Sequence, residues 1–383
     1  MKKPQYFATA LLLMASCSGK TDSEYTNSND LKFTVEIDTV QVDPGDDHFI
    51  YLAKFLRYSS VSSDKKTLYN FNPSVPELEV IDLDELTFKE ALKLENEGPT
   101  GINASNSYLP MMDVSDKGEL FLNTISYMIK LNASRDQMSR FWFTPDSLQG
   151  DALSDVEIIY PEGFMSDNKD FYFGAYGAQD NSAKSGLAMI NLNSMELKKV
   201  PLDIFERIEK YKIIFSSSGN SNMSATETVF FDSIEDKVFI STSAFNEIYL
   251  VDITDGTVEK KSFHSKLTDD AKKGNYQKTA GSRKELMDLA REKVKEVNFF
   301  KFHYDDQNEK FWRFSTTLDR MIGDSATYDI VLTIFDQNLT QLHEEKVDYS
   351  ERGSLTFFKD GALYSYINLE DELGFVRIKP SYE

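Results

Sequence analysis

The chain has 383 residues, with 42 lysines and arginines against 63 aspartates and glutamates, for a formal net charge of −21. Such a balance argues against nucleic acid and anionic membrane surfaces as partners, because both are gripped through clustered Lys and Arg. A hydrophobic content of 40% with 13% aromatic residues excludes global disorder and supplies core for a folded domain.

Residues 1–16 read as a lipoprotein signal peptide. Lys2 and Lys3 precede an apolar run from Phe7 to Ala15 that is too short to span a bilayer. The run leads to Cys17, the only cysteine of the chain. Extracytoplasmic cysteines usually come in pairs for disulfides, so a single one at this position is expected to be the lipidation site and the contact with a membrane. Residues 17–30 are polar and are expected to form a disordered tether. Lys20 followed by acidic residues resembles the surface-export signal of Bacteroidota lipoproteins. The expected location is the bacterial outer membrane, with periplasmic and outward orientations both open.

From residue 31 to 383 a single pattern recurs. An alternating apolar strand ends in Asp or Asn, turns, and starts again, as in Leu78–Asp82, Ala188–Asn191, Ile248–Asp252 and Leu332–Asp336. A weaker copy is Met128–Asn132, and the copies recur at intervals of roughly 50 to 60 residues, a period typical of propellers. The longest interval, before Asp336, holds a helical insertion at about 272–297, signalled by the capping box Ser282-x-x-Glu285 and apolar residues at helical spacing. Upstream of each marker lies a hairpin, such as Phe230-Phe231-Asp232 turning into Val238-Phe239-Ile240.

These features predict an all-β chain, a six-bladed β-propeller of four-stranded antiparallel blades with one helical insertion. A seven-bladed ring is the alternative, because Ser59–Ser63 and Tyr211–Ser224 have room for extra strands. The last unit, Ser354–Lys379, has room for three strands, and Leu31–Val40 is expected to close it.

Glu97-Gly98-Pro99-Thr100-Gly101 looks like the Gly-Pro-x-Gly junction of Bacteroidota six-bladed propellers. The charged helix followed by Phe311-Trp312-Arg313-Phe314 resembles the Bacteroidota lipoprotein family known as domain of unknown function 4221. The resemblance implies a fold and a location, and no catalytic residues.

The chemistry-bearing residues are sparse. His48, His264, His303 and His343 form no HxH or HExxH pair, and no nucleophile elbow, phosphate loop or dinucleotide fingerprint occurs. The acidic turns Asp113-x-x-Asp116-x-Gly118 and Asp305–Glu309 would suit Ca²⁺, but hairpin chemistry accounts for them, so no metal or cofactor is expected. Most aromatic clusters are expected in the core. Trp312 and Arg313 are the one named candidate ligand surface, since neighbours on a strand point to opposite faces; a structural stack of Arg on a ring is the other reading. The function expected is a monomeric, lipid-anchored module that binds a protein, peptide or glycan. A hydrolase or lyase using dispersed carboxylates is the rival, because a fold does not fix a function.

Overall fold

Asp and Asn side chains set the chain reversals. Asp82 Oδ1 accepts from the amides of Asp84 and Glu85 at 2.9 and 2.8 Å, and Asp252 Oδ1 from those of Thr254 and Asp255 at 2.8 and 3.1 Å. Asn191 and Asp336 hold equivalent turns. Each such side chain mimics a backbone turn and reverses the chain between the third and fourth strands of one antiparallel meander.

The computed structural model describes residues 31–52, 56–104, 109–179, 183–216, 222–351 and 355–382. The signal segment, the tether and Cys17 lie outside the described residues. The first meander comprises Ser59–Val61, Thr67–Asn72, Glu77–Asp82 and Thr87–Lys93; the second, Met111–Val114, Leu120–Asn123, Tyr127–Leu131 and Met138–Trp142. The third comprises Glu157–Met165, Phe171–Ala178, Lys184–Asn191 and Glu196–Pro201, with Gln149–Gly150 added in parallel at its edge. The fourth holds Val229–Ile234, Lys237–Thr242, Phe245–Asp252 and Val258–Ser262; the fifth, Asn298–Asp305, Lys310–Ile322, Ser325–Asp336 and Gln341–Val347. The sixth is built from both ends of the chain. Thr356–Lys359, Ala362–Leu369 and Glu372–Tyr382 are joined by Phe33–Gln41, which pairs antiparallel from Phe33↔Tyr382 to Gln41↔Gly374.

The inner strands of a meander are buried on both faces, because each meander is packed between two others. Leu120 and Leu122 point towards Phe71 and Leu78 of the first meander, while Phe121, between them in sequence, joins Tyr172 and Ile190 of the third. Alternation along one strand thus serves two interfaces. Phe173 and Leu187 meet Val238 and Tyr249, Ile248 and Leu250 meet Phe311 and Phe335, and Trp312 and Phe314 meet Leu363 and Ile378. Tyr364 and Phe375 of the sixth then pack on Leu68 and Ile81 of the first, so the series of interfaces returns to its start. The first strands of successive meanders also touch one another. This is an all-β, propeller-like architecture.

Of the segments with room for extra strands, Ser59–Val61 is the first strand of the first meander. Ile213–Ser216 and Asn222–Ala225 instead form a hairpin in a separate three-stranded sheet, completed in parallel by Thr279–Ala280. On that sheet lies the helix of the insertion, Arg283–Lys293 (α2 hereafter; α1 is the short helix Ile204–Glu209). Ser282 Oγ accepts from the Glu285 amide at 3.1 Å, and Glu285 Oε2 accepts from the Gly281 amide at 2.7 Å, which caps α2. Leu286 and Leu289 pack with Ile213, Phe215 and Ala280, so the helix covers its own small sheet.

Candidate functional site

A cleft of about 730 Å³ opens where the first strands of the meanders converge. Tyr160, Glu162 and Phe164 come from the third meander, Phe230 and Phe231 from the fourth and Lys301 from the fifth. Arg57 and Pro110 line it from just ahead of the first and second, and Phe205, Ile208, Ile214 and Glu227 from α1, the small sheet and the segment after it.

Two irregular strands shape the wall. The ladder of Glu157–Met165 breaks between Ile159 and Gly163, where the strand gains residues over its partner and bulges. Asn123 Nδ2 donates to Pro161 O at 2.7 Å and to Tyr172 Oη at 2.8 Å, and Tyr172 Oη lies 3.3 Å from the carbonyls of Tyr160 and Pro161. Burial raises the Tyr172 phenol far above its ordinary value, so it serves as a neutral hydrogen-bonding pin. Gly163 is required beside it. A Cβ there would stand 2.3 Å from both Phe173 O and Tyr172 Oη. A second bulge, between Phe299 and Phe302, carries Lys301.

The bulge turns Tyr160 towards Lys184. Tyr160 Oη donates to Ala178 O at 2.8 Å, and Lys184 Nζ sits 4.7 Å from the centre of the Tyr160 ring. Burial lowers the Lys184 ammonium below the usual lysine range, and Glu162 opposes that shift. The other lysines of the cleft have carboxylate partners: Lys212 contacts Glu209 at 3.0 Å and Lys301 contacts Asp232 at 2.8 Å.

Behind the wall, Glu227 joins three parts of the chain. Its side chain is 2% exposed and faces Lys272 at 3.4 Å and Lys293 at 2.9 Å, both of them also buried. The Lys293 contact is an ion pair with Oε1, while Ser243 Oγ donates to Glu227 Oε2 at 2.5 Å. Burial lowers the Lys272 ammonium, Glu227 opposes the shift and Lys293 adds to it. Breaking such a buried group by removing one charge is costly, about 3–5 kcal/mol. The carboxylate therefore fastens α2 to the edge of the cleft.

Trp312 and Arg313 lie elsewhere, in the interior. Trp312 is fully buried, donates from Nε1 to Tyr382 Oη at 2.8 Å, and packs edge-on against Phe358. Arg313, 2% exposed, donates to the carbonyls of Phe300, Thr242 and Phe245 and to Asn246 Oδ1, between the rings of Phe299 and Phe302. Packing is the work of both side chains in this structure, and neither lines the cleft. The four histidines each stand beside a carboxylate, and none lines the cleft either. In the acidic turns, Asp113 is held by Lys169 and Ser60, and Asp305 accepts from Asn308. No group of three or more His, Cys, Asp or Glu positioned for a metal ion occurs among the described residues.

Sequence reading missed Tyr160, Lys184, Glu227 and Lys301. They come from separate repeats and share no local motif. The one available signal was position, since the first strands of tandem meanders are the ones that meet at the centre.

Fold and cleft together define an all-β, propeller-like protein with a cleft where the first strands converge. The family model described as Domain of unknown function (DUF4221) matches residues 30–346, and the chain belongs to that family. The crystal structure of a family member from Bacteroides vulgatus is similar over 93% of this chain and 100% of that chain, with 14% identity and a TM-score of 0.64. A Bacteroides fragilis protein whose name marks it as exported is similar over 91% and 95% of the two chains, with 9% identity and a TM-score of 0.48. An oligogalacturonate lyase from Vibrio parahaemolyticus is similar over 91% and 98%, with 8% identity and a TM-score of 0.39. The first likeness is one of fold, and the other two carry no functional argument. No curated protein matches. Among the described residues, no helix is long and apolar enough to cross a membrane.

Proposed function

We propose that this chain is a lipid-anchored, extracytoplasmic, six-bladed propeller that binds a segment of protein, peptide or glycan in the cleft at the centre of the ring. The observation that carries the reading is the convergence there of aromatic and charged side chains from successive meanders, in a volume of about 730 Å³. Pre-formed clefts of that size with a few polar groups are the usual form of a ligand site. A hydrolase or lyase would need carboxylates able to exchange protons. Two of the three carboxylates lining the cleft, Glu209 and Glu227, are instead committed to lysines, which leaves no pair of carboxylates for proton exchange among the described lining residues and favours binding over turnover.

The reading is tested with soluble protein carrying Cys17→Ser on arrays of peptides and glycans. Saturable binding, lost when Val229, which lines the cleft beside Phe230, is replaced by Trp in a protein that still melts cooperatively (Val229→Trp), is the expected result. Absence of binding, or cleavage of the bound molecule, would overturn it. Cys17→Ser is also expected to move the protein in cells from the membrane fraction to the soluble one. Retention in membranes would remove the anchor from the proposal.

A further inference from the structure

The cleft runs against the electrostatic character of the chain. The whole molecule carries −21, yet Arg57, Lys184, Lys212 and Lys301 line the cleft against Glu162, Glu209 and Glu227. Lys272 and Lys293 stand behind Glu227, and Asp232 adds one negative charge beside Lys301. The lining itself therefore holds four cations against three anions. Opposite potentials on one molecule sort ligands by size, because exposed charges are screened beyond roughly 8–10 Å at physiological salt. A polyanion meets the acidic outer surface as well as the cleft. A small acid that fits inside meets the cations.

Lys184 is the lysine of this set with no carboxylate in direct contact among the described residues, Glu162 acting on it only from beyond ion-pair distance. Its ammonium stands 4.7 Å from the centre of the Tyr160 ring. A desolvated charge facing a ring rather than an oxygen gains from an arriving oxyanion, since charge-assisted hydrogen bonds are the strong ones. The rest of the wall suits a compact organic body. Phe164, Phe230 and Phe231 present rings, and those of Phe164 and Phe231 stand 5.8 Å apart with their planes inclined by 27°.

We propose that the cleft takes a small carboxylic acid, its carboxylate held by Lys184 and its body lying along the aromatic wall. This rests on the cleft being the binding site, as argued above. Lys301 and Lys212, whose charges are already matched, contribute field rather than the primary contact.

Calorimetric titration separates the two levels of the proposal. The probes are glucuronate and phenylacetate, which distinguish a sugar acid from an aromatic acid, with glucose and phenylacetamide as neutral counterparts. At least one acid is expected to bind wild-type protein about tenfold or more tightly than its neutral counterpart, the size of a charge-assisted hydrogen bond. Lys184→Met, which keeps the apolar stem, is expected to abolish that preference without lowering the melting temperature, and Lys184→Arg to retain most of it. Equal binding of acid and neutral probes, no binding of either acid, or an acid affinity indifferent to Lys184→Met would overturn the inference. If arrayed neutral ligands still bind and are lost with Val229→Trp, the cleft reading stands while this one falls. If Val229→Trp leaves all binding intact, the cleft itself is the wrong site.

Discussion

Gly163 shows how one side-chain-free position sustains the site. Its neighbours at 2.3 Å are a backbone carbonyl and the hydroxyl of a buried, pinned tyrosine, and neither can yield by rotating a flexible chain end. Gly163→Ala is therefore expected to destabilise the fold by about 1–3 kcal/mol, the usual range for overpacking. It should also weaken ligand capture, because the bulge that presents Tyr160 and Glu162 is lost. Urea denaturation with an unchanged midpoint would refute this. Trp312 and Arg313 teach a related lesson. Alternation correctly places the two on opposite faces of a strand, but in a ring of packed sheets both faces are interior, so facing different ways gave neither residue access to solvent.

At the scale of elements, α1 is fixed to the fourth meander by a charged network. Arg207 Nη1 and Nη2 reach Glu247 Oε2 and Oε1 at 2.5 and 2.9 Å, Arg207 Nη1 also donates to Tyr249 Oη, and Tyr249 Oη donates to Asp203 Oδ1. Burial pushes the Glu247 carboxyl up, but Arg207 and Lys260 outweigh it and hold the carboxyl below its ordinary value. A carboxyl lowered on folding contributes stability that is present above its unfolded pKa, about 4.3, and lost as pH falls through its folded value. Glu247→Gln is thus expected to cost on the order of 2 kcal/mol near pH 7. The gap between variant and wild type should narrow as pH falls below about 4.3. Denaturation measured at pH 7, 5 and 3 checks this, and a gap of constant size would exclude the pair as the source. Legibility at this scale follows contact range. The Asx turns and the cap of α2 were readable because donor and acceptor lie within a few residues. The sheet beneath α2 was not, because Ile213–Ser216 and Thr279–Ala280 meet only through the tertiary fold.

Across the whole molecule, tandem meanders were legible as a class because each repeats the same local punctuation. The cleft was not, since its residues range from Arg57 to Lys301 and are brought together by ring geometry alone. The strand Phe33–Gln41 is the element on which that geometry depends most visibly. It completes the sixth meander and, with Val35 and the Phe33 ring against Trp312, seals its packing on the fifth. Removing residues 31–41 is expected to lower the melting temperature by about 5 °C or more. An unchanged transition would show that the remaining strands close without it.

The same strand gives the molecule a directional response to mechanical load. Traction on the N-terminal end reaches Phe33 first and acts on the hydrogen bonds opposite Tyr382 before those nearer Gly374. Such a ladder peels rung by rung, at lower force than one sheared along its whole length. Tension at that end thus bears directly on the clasp of the ring.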